Sequence, residues 1–82
     1  MEFFVTNVSD GSHQFRPSLP GVRQLQVWTR DQRVLRIELP DGSSHEGVLQ
    51  WQDPEFLAIR RSDAVDPVLI NRRAITLIRP LG

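Results

Sequence analysis

Apolar residues first show a regular spacing in the segment 19–30, where they recur at every third position. Polar residues separate them, which is the pattern of an amphipathic helix with one face toward a core; the apolar positions are Val22, Leu25 and Trp28. Pro20 suits the first turn of such a helix, and Ser18 is expected to cap it by accepting a hydrogen bond from a backbone N–H. The pattern therefore predicts one short helix.

Beyond residue 34 the spacing of apolar residues falls to two, which is typical of half-buried β-strands. Turn-forming residues separate the apolar segments, so we predict five strands, over residues 35–39, 44–52, 56–60, 68–70 and 74–78. Gly47 lies in the middle of the second strand and predicts a bend or bulge, because only a residue without a Cβ atom tolerates a very close neighbour. The domain should be mainly β, with one leading helix.

The fourth and fifth predicted strands are apolar on both faces, which an exposed sheet edge should not be. The sequence holds no second helix pattern that could cover them. Pairing with the same edges of neighbouring copies would cover them, and a head-to-tail pairing that closes on itself produces a ring. A barrel closed within one chain is the alternative for a domain of this size.

Composition favours assembly, because a chain of 82 residues builds only a modest hydrophobic core. The chain has no cysteine, so neither disulfides nor thiolate metal sites can stabilise it. His13 and His45 lie far apart without a metal-ligand spacing, so neither a metal site nor a cofactor is predicted. Self-association is the means of stabilisation that this composition leaves.

Residues 1–17 differ in character from the rest and form a leader before a domain of residues 18–82. The leader contains a strand-like run from Phe3 to Thr6 and a turn signal at Asp10-Gly11. An extra hairpin, a partner-binding arm and a disordered segment all stay open. The start lacks the basic segment and long apolar stretch of a signal peptide, and no apolar run is long enough to span a bilayer. We therefore predict a cytoplasmic protein that does not bind membranes.

The charge of the chain restricts its function. Ten acidic residues balance ten arginines, for a net charge of zero and a pI near 6.7, which disfavours a strong non-specific grip on nucleic acid. Any RNA binding must then depend on local patches of arginine, whose planar fork binds phosphates and stacks on bases. The sequence offers no nucleophile–base pair, phosphate-binding glycine loop or metal cluster, so an enzyme is not predicted.

Two runs of residues in the predicted strands have a spacing known from one protein family. The first is Leu39-x-x-Gly42-x-x-x-x-Gly47-x-Leu49-x-x-x-Asp53, and the second runs from Ala74 to Pro80. They resemble the two motifs of the Sm-like Hfq family of RNA chaperones. More specifically, the chain looks like the cyanobacterial branch of that family in Leu19-Pro20-x-Val22-Arg23-Gln24-x-Gln26, in Asp31-Gln32 and in Trp51-Gln52-Asp53. The resemblance covers about residues 17–80.

This resemblance implies a Sm-like fold, an N-terminal α-helix followed by a bent five-stranded antiparallel sheet in a small open barrel, assembled as a homohexameric ring. It also implies a post-transcriptional regulator that pairs small RNAs with messages. Around the pore the family carries Tyr-Lys-His, and the matching residues here are Asn71, Arg72 and Arg73. Phe56 is the aromatic candidate beside them, with core packing as the alternative. One extra residue after Asp53 leaves the register of Phe56 open.

Other RNA-binding surfaces of the family look weakened in this sequence. Glu38 and Ser44 stand where the adenine-binding face carries an aromatic and a basic residue, and Glu46 adds a second acid there. On the rim, the family's basic cluster is reduced to Arg30, which an aspartate follows. Because carboxylates repel a polyanion, we expect modest affinity and a preference for uridine-rich RNA.

A second interpretation is a protein-docking ring with little RNA affinity. Cyanobacterial members of the family have been linked to the type IV pilus and motility through a protein partner, and the neutral charge of this chain favours that interpretation. Trp28 and Trp51 are expected to fill the junction of helix and sheet, with docking of a peptide on an exposed edge as the alternative. The pore arginines favour RNA, and RNA binding is the primary prediction.

Overall fold

The computed structural model describes residue 16 and residues 18–82 of the chain. Within them one α-helix precedes five strands: α1 (Pro20–Arg30), β1 (Val34–Glu38), β2 (Ser44–Gln52), β3 (Phe56–Arg60), β4 (Val68–Asn71), a 3-10 helix (Arg72–Ala74) and β5 (Leu77–Pro80). The predicted mainly β domain with a leading helix is confirmed. The predicted leader, residues 1–17, lies outside the described residues except for Arg16.

The five strands form one antiparallel sheet in the order β4-β3-β2-β1-β5. The chain therefore crosses from one edge of the sheet to the other between β4 and β5. These two strands are not paired with each other within the described residues. The alternative of a barrel closed within one chain is thus wrong, because the sheet keeps two open edges.

The core forms where α1 packs against one face of the sheet. Inward side chains of the three central strands are fully buried, at Leu35, Ile37, Leu49, Leu57 and Ile59. Leu25 joins them from α1, and Trp28 packs at the border of the cluster, as the three-residue spacing predicts. Fully burying one Leu or Ile side chain is worth about 1.5–3 kcal/mol, so these residues dominate the apolar contribution to folding.

The start of α1 differs from the prediction. Leu19, not Ser18, occupies the N-cap position, and its side chain makes no capping hydrogen bond. Pro20 follows as the first helical residue. Because proline has no backbone N–H, the start of the helix has one donor fewer that needs a partner. The prediction that Ser18 caps the helix is wrong. Among the described residues, no helix has the length and apolar character needed to cross a membrane.

Gly47 lies where β2 passes very close to β3, as the sequence predicts. A Cβ atom at this position would lie 2.5 Å from the carbonyl oxygen of Arg60 and 2.6 Å from Cγ2 of Ile59. The bulge comes later in β2, where the pairing with β3 shifts between Leu49 and Trp51. The close approach and the bulge are therefore two separate features of one strand.

The fifth strand starts later than predicted. The apolar run predicts a strand over residues 74–78, but the 3-10 helix extends into this range and β5 begins at Leu77. Asn71 causes the difference, because its side-chain oxygen accepts a hydrogen bond from the Arg73 N–H (2.8 Å) and turns the chain at the end of β4. Thr76 then donates its N–H to the Glu38 carbonyl (2.9 Å), just before the β1–β5 pairing begins.

Candidate nucleic-acid interface

Phe56 and Asn71 lie opposite one another at the end of the β3–β4 ladder. Paired residues of neighbouring strands project to the same side of a sheet, so an aromatic ring and an amide share one surface. Phe56 is half-buried and Asn71 is exposed, and Phe56 is not a member of the buried core. The register that the sequence left open therefore brings Phe56 beside the predicted pore residues.

Arg73 continues this surface on the 3-10 helix. The hydrogen bond from its backbone N–H to the Asn71 side chain fixes its position relative to β4, and the residue is exposed. A guanidinium group can bind a phosphate through two parallel N–H donors. The surface therefore combines a face for stacking with a cation that can meet the backbone of the same nucleic acid strand.

Arg72 points in another direction and is half-buried. Its Nε donates a hydrogen bond to the carbonyl oxygen of Asp53 (3.0 Å), and its Nη2 donates to Oε1 of Gln52. Its backbone N–H donates to the carbonyl of Glu55 (2.8 Å). Burial lowers the pKa of Arg72, while the Asp53 carboxylate acts in the opposite direction. The group stays charged, because an arginine is not deprotonated in proteins.

Asp53 builds the connection that presents Phe56. Its Oδ1 accepts hydrogen bonds from the backbone N–H groups of Glu55 (2.8 Å) and Phe56 (2.6 Å). A carboxylate that accepts hydrogen bonds from the next N–H groups in this way closes a tight turn. The backbone of Phe56 is thus held by Asp53, and the carbonyl of Asp53 is in turn held by Arg72.

A second surface lies at the end of α1, where the predicted rim residue Arg30 meets Trp51. They line a cleft of about 290 Å³ together with Gln26, Thr29 and Gln52. Trp51 is 44% exposed, so the prediction that it fills the junction of helix and sheet is wrong. The bulge between Leu49 and Trp51 explains this, because one extra residue turns the following side chain to the opposite face.

The outward face of β1 carries a row of compensating charges. Arg36 lies between Glu38, at 3.2 Å, and Glu46, at 3.5 Å. Arg79 stands opposite Arg36 on β5. Arg36 Nε makes no hydrogen bond with good geometry despite its closeness to Glu38, so the contact is an ion pair only. The sequence predicts an acidic face here, but these two acids and two arginines leave it charge-balanced.

Metal-binding side chains do not gather in the part of the chain that the structure describes: no group of three or more His, Cys, Asp or Glu could hold an ion. Asp41 and Asp63 each bind their own loop. Hydrogen bonds from the hydroxyl and backbone N–H of Ser43 lower the pKa of Asp41. A hydrogen bond from Arg61 and its charge lower the pKa of Asp63. These carboxylates therefore stabilise turns.

A helix that leads into five antiparallel strands, with an aromatic and arginine surface at the end of β4, defines the Sm-like class of nucleic-acid-binding proteins. A family model described as Hfq related matches residues 19–80. The chain belongs to this Hfq-related family.

Solved structures of Hfq proteins are similar to the chain. An Hfq protein from Anabaena sp. matches with 31% sequence identity and a TM-score of 0.69, over 78% of this chain and 100% of that one. The pleiotropic translational regulator Hfq shares the fold with 17% identity and a TM-score of 0.66, over 72% of this chain and 86% of that one. No match was found among curated proteins. The predicted resemblance to Hfq, including a cyanobacterial member, is confirmed.

Proposed function

We propose that this protein is a cytoplasmic, non-catalytic RNA-binding regulator of the Hfq kind that works as a homohexameric ring. RNA binds at the pore face through Phe56, Asn71, Arg72 and Arg73. The observation that carries the proposal is the pairing of Phe56 with Asn71, next to the exposed Arg73. Stacking on an aromatic side chain is worth about 1–3 kcal/mol per base, and the ring repeats the site in every subunit.

Exposed leucines on the two open edges support the ring. Leu69 on β4 is 49% exposed and Leu77 on β5 is 42% exposed, and each edge also offers unpaired backbone groups. When β4 of one copy pairs with β5 of the next, both leucines are covered and the backbone groups are satisfied. Such a joint uses two different surfaces, and its repetition gives a ring when the rotation from one copy to the next closes. The number of subunits is taken from the family.

Uridine-rich RNA is the proposed ligand, and its affinity is modest. Glu38 and Ser44 occupy the positions at which the family's adenine-binding face carries an aromatic and a basic residue. The charge-balanced row around Arg36 attracts a polyanion no more than it repels one. On the rim, Arg30 is an auxiliary contact that is weakened by its ion pair with Asp31 (3.3 Å).

Titration with a uridine-rich and an adenine-rich oligonucleotide at about 50 and 200 mM salt tests the proposal. The wild-type ring should bind the uridine-rich RNA more tightly. Arg73→Ala should lower the slope of log affinity against log salt by about one unit for each phosphate that the arginine no longer neutralises. Arg61→Ala is the matched control, because Arg61 pairs with Asp63 beyond the far end of β3 from Phe56. An unchanged slope in Arg73→Ala would exclude the pore face as the binding site.

A protein-docking ring with a type IV pilus or motility partner is the second candidate, and one observation favours it. Trp51 is exposed next to Arg30, and tryptophan and arginine are frequent anchors of protein interfaces. If neither RNA binds at about 50 mM salt, this candidate replaces the first. Trp51→Ala should then abolish co-purification of pilus components with the ring and leave the size of the ring unchanged.

A further inference from the structure

The two neighbouring arginines of the pore surface differ in their surroundings. Arg73 is exposed, whereas Arg72 is half-buried and turned toward the connection between β2 and β3. Through its guanidinium and its backbone N–H, Arg72 binds three of the four residues that lead into β3: Gln52, Asp53 and Glu55. A side chain used in this way joins two segments that are distant in sequence.

These hydrogen bonds connect the two halves of the candidate RNA site. On one side, Asp53 holds the backbone N–H of Phe56. On the other side, Arg72 is the residue before Arg73 in the 3-10 helix. Phe56 and Arg73 are already linked through Asn71, which pairs with Phe56 and accepts the Arg73 N–H. The guanidinium of Arg72 adds a second link between the same two segments.

We propose that Arg72 is a positioning residue of the RNA site, which sets Phe56 and Arg73 at a fixed separation through Gln52 and Asp53 and leaves the main phosphate contact to Arg73. This inference rests on the proposed function of the pore face and assigns different roles to its two arginines. Gln52 shares this positioning role, which requires no contact between Gln52 and a phosphate.

A lysine at position 72 separates charge from geometry. It carries the same charge as arginine, but its single ammonium group cannot hold two acceptors in the plane of a fork. If Arg72 acted mainly as a cation for phosphate, Arg72→Lys would bind uridine-rich RNA about as well as the wild type. If Arg72 positions the site, Arg72→Lys keeps the charge and still binds uridine-rich RNA more weakly than the wild type.

The first measurement is the affinity of the assembled protein for a uridine-rich oligonucleotide at several salt concentrations. Arg72→Lys should bind at least about tenfold more weakly, the effect expected when a hydrogen bond to a charged group is lost. The slope of log affinity against log salt should stay at the wild-type value, because no charge is removed. Arg61→Lys is the control and should bind as the wild type does. Wild-type affinity in Arg72→Lys would overturn the proposal.

The second measurement changes the acceptor instead of the donor. Gln52→Ala removes the oxygen that Nη2 of Arg72 binds, and it should weaken RNA binding to the same degree as Arg72→Lys. Gln52→Glu keeps an oxygen there and should bind more tightly than Gln52→Ala, although it adds a negative charge. Simple repulsion predicts the reverse order, and that order would overturn the proposal. Gln52 also borders the cleft beside Arg30. The loss of affinity in Gln52→Ala must therefore match the loss in Arg72→Lys.

Hydrogen exchange distinguishes failure of this inference from failure of the proposed function. If the wild-type ring binds no RNA, the proposed function fails. The hydrogen bonds of the Arg72 side chain are then tested by the exchange rates of the Phe56 and Arg73 amides, which are hydrogen-bonded to Asp53 and Asn71. Both amides should exchange faster in Arg72→Lys and in Gln52→Ala than in the wild type. The comparison uses variants that have the same number of subunits as the wild type. Unchanged rates would refute the positioning role.

Discussion

At Gly47 an added methyl group would meet the backbone of β3, at the Arg60 carbonyl oxygen, and not only a movable side chain. Gly47→Ala should therefore lower the free energy of unfolding by about 3 kcal/mol, at the upper end for an overpacked core. Gly21→Ala is the matched control, because Gly21 lies in α1 with no atom within 4 Å of its added Cβ. It should be neutral or up to about 1 kcal/mol more stable. Denaturant unfolding measures both, and equal effects would contradict the close approach.

Single residues also show which parts of the site can be predicted from the sequence. A glycine within a strand of alternating apolar and polar residues indicates a close neighbour, so the tight contact at Gly47 was predictable. Trp51 was not, because the bulge after Leu49 changes the face to which it points, and no local pattern marks that bulge. Arg72 and Arg73 are adjacent and of one residue type. Their different burial, and the partners of Arg72 at Gln52 and Asp53, which are distant in the chain, separate the two arginines.

Among the elements, the connection between β2 and β3 contains a turn that the Asp53 side chain closes. Asp53→Ala removes the acceptor for the N–H groups of Glu55 and Phe56, which should destabilise the fold by about 1–3 kcal/mol. Asp53→Asn keeps an oxygen at the same place and should lose less. Thermal unfolding of the two variants at one protein concentration gives the comparison. If Asn destabilised as much as Ala, the charge of Asp53 and not its geometry would matter.

The elements were predictable where one periodicity covers several residues. The predicted helix over 19–30 corresponds to α1 (Pro20–Arg30), and the second and third predicted strands have the bounds of β2 and β3. The fifth strand was misplaced because Asn71 uses its side chain to hold the Arg73 N–H. Such a local bond competes with strand formation, and an apolar run gives no sign of it. The sheet order puts the two edges on β4 and β5, the two strands for which the apolar pattern predicted an edge that needs covering.

For the whole molecule, the proposed ring predicts different outcomes at two apolar positions of the last segment. Leu77 is 42% exposed in the single chain, so Leu77→Asp should leave the fold of the subunit intact and break the joint. Ile75 packs against the core, and Ile75→Asp should damage the fold as well, because an unpaired charge would be buried. Light scattering at low micromolar concentration reports the subunit number, and circular dichroism reports the fold. Wild-type mass for Leu77→Asp would contradict the proposed joint.

The two open edges lie at opposite ends of one sheet, in β4 and β5, and in the proposed ring this has a consequence for mixtures of subunits. A subunit damaged only in β5 keeps a sound β4, so it can join a growing arc at one end and then blocks the next addition. It acts as a chain terminator. In a cell that makes both forms, a ring is intact only if every subunit is wild type. The share of intact rings therefore equals the wild-type fraction raised to the power of the number of subunits. A minor population of such a mutant would therefore be dominant over the normal protein.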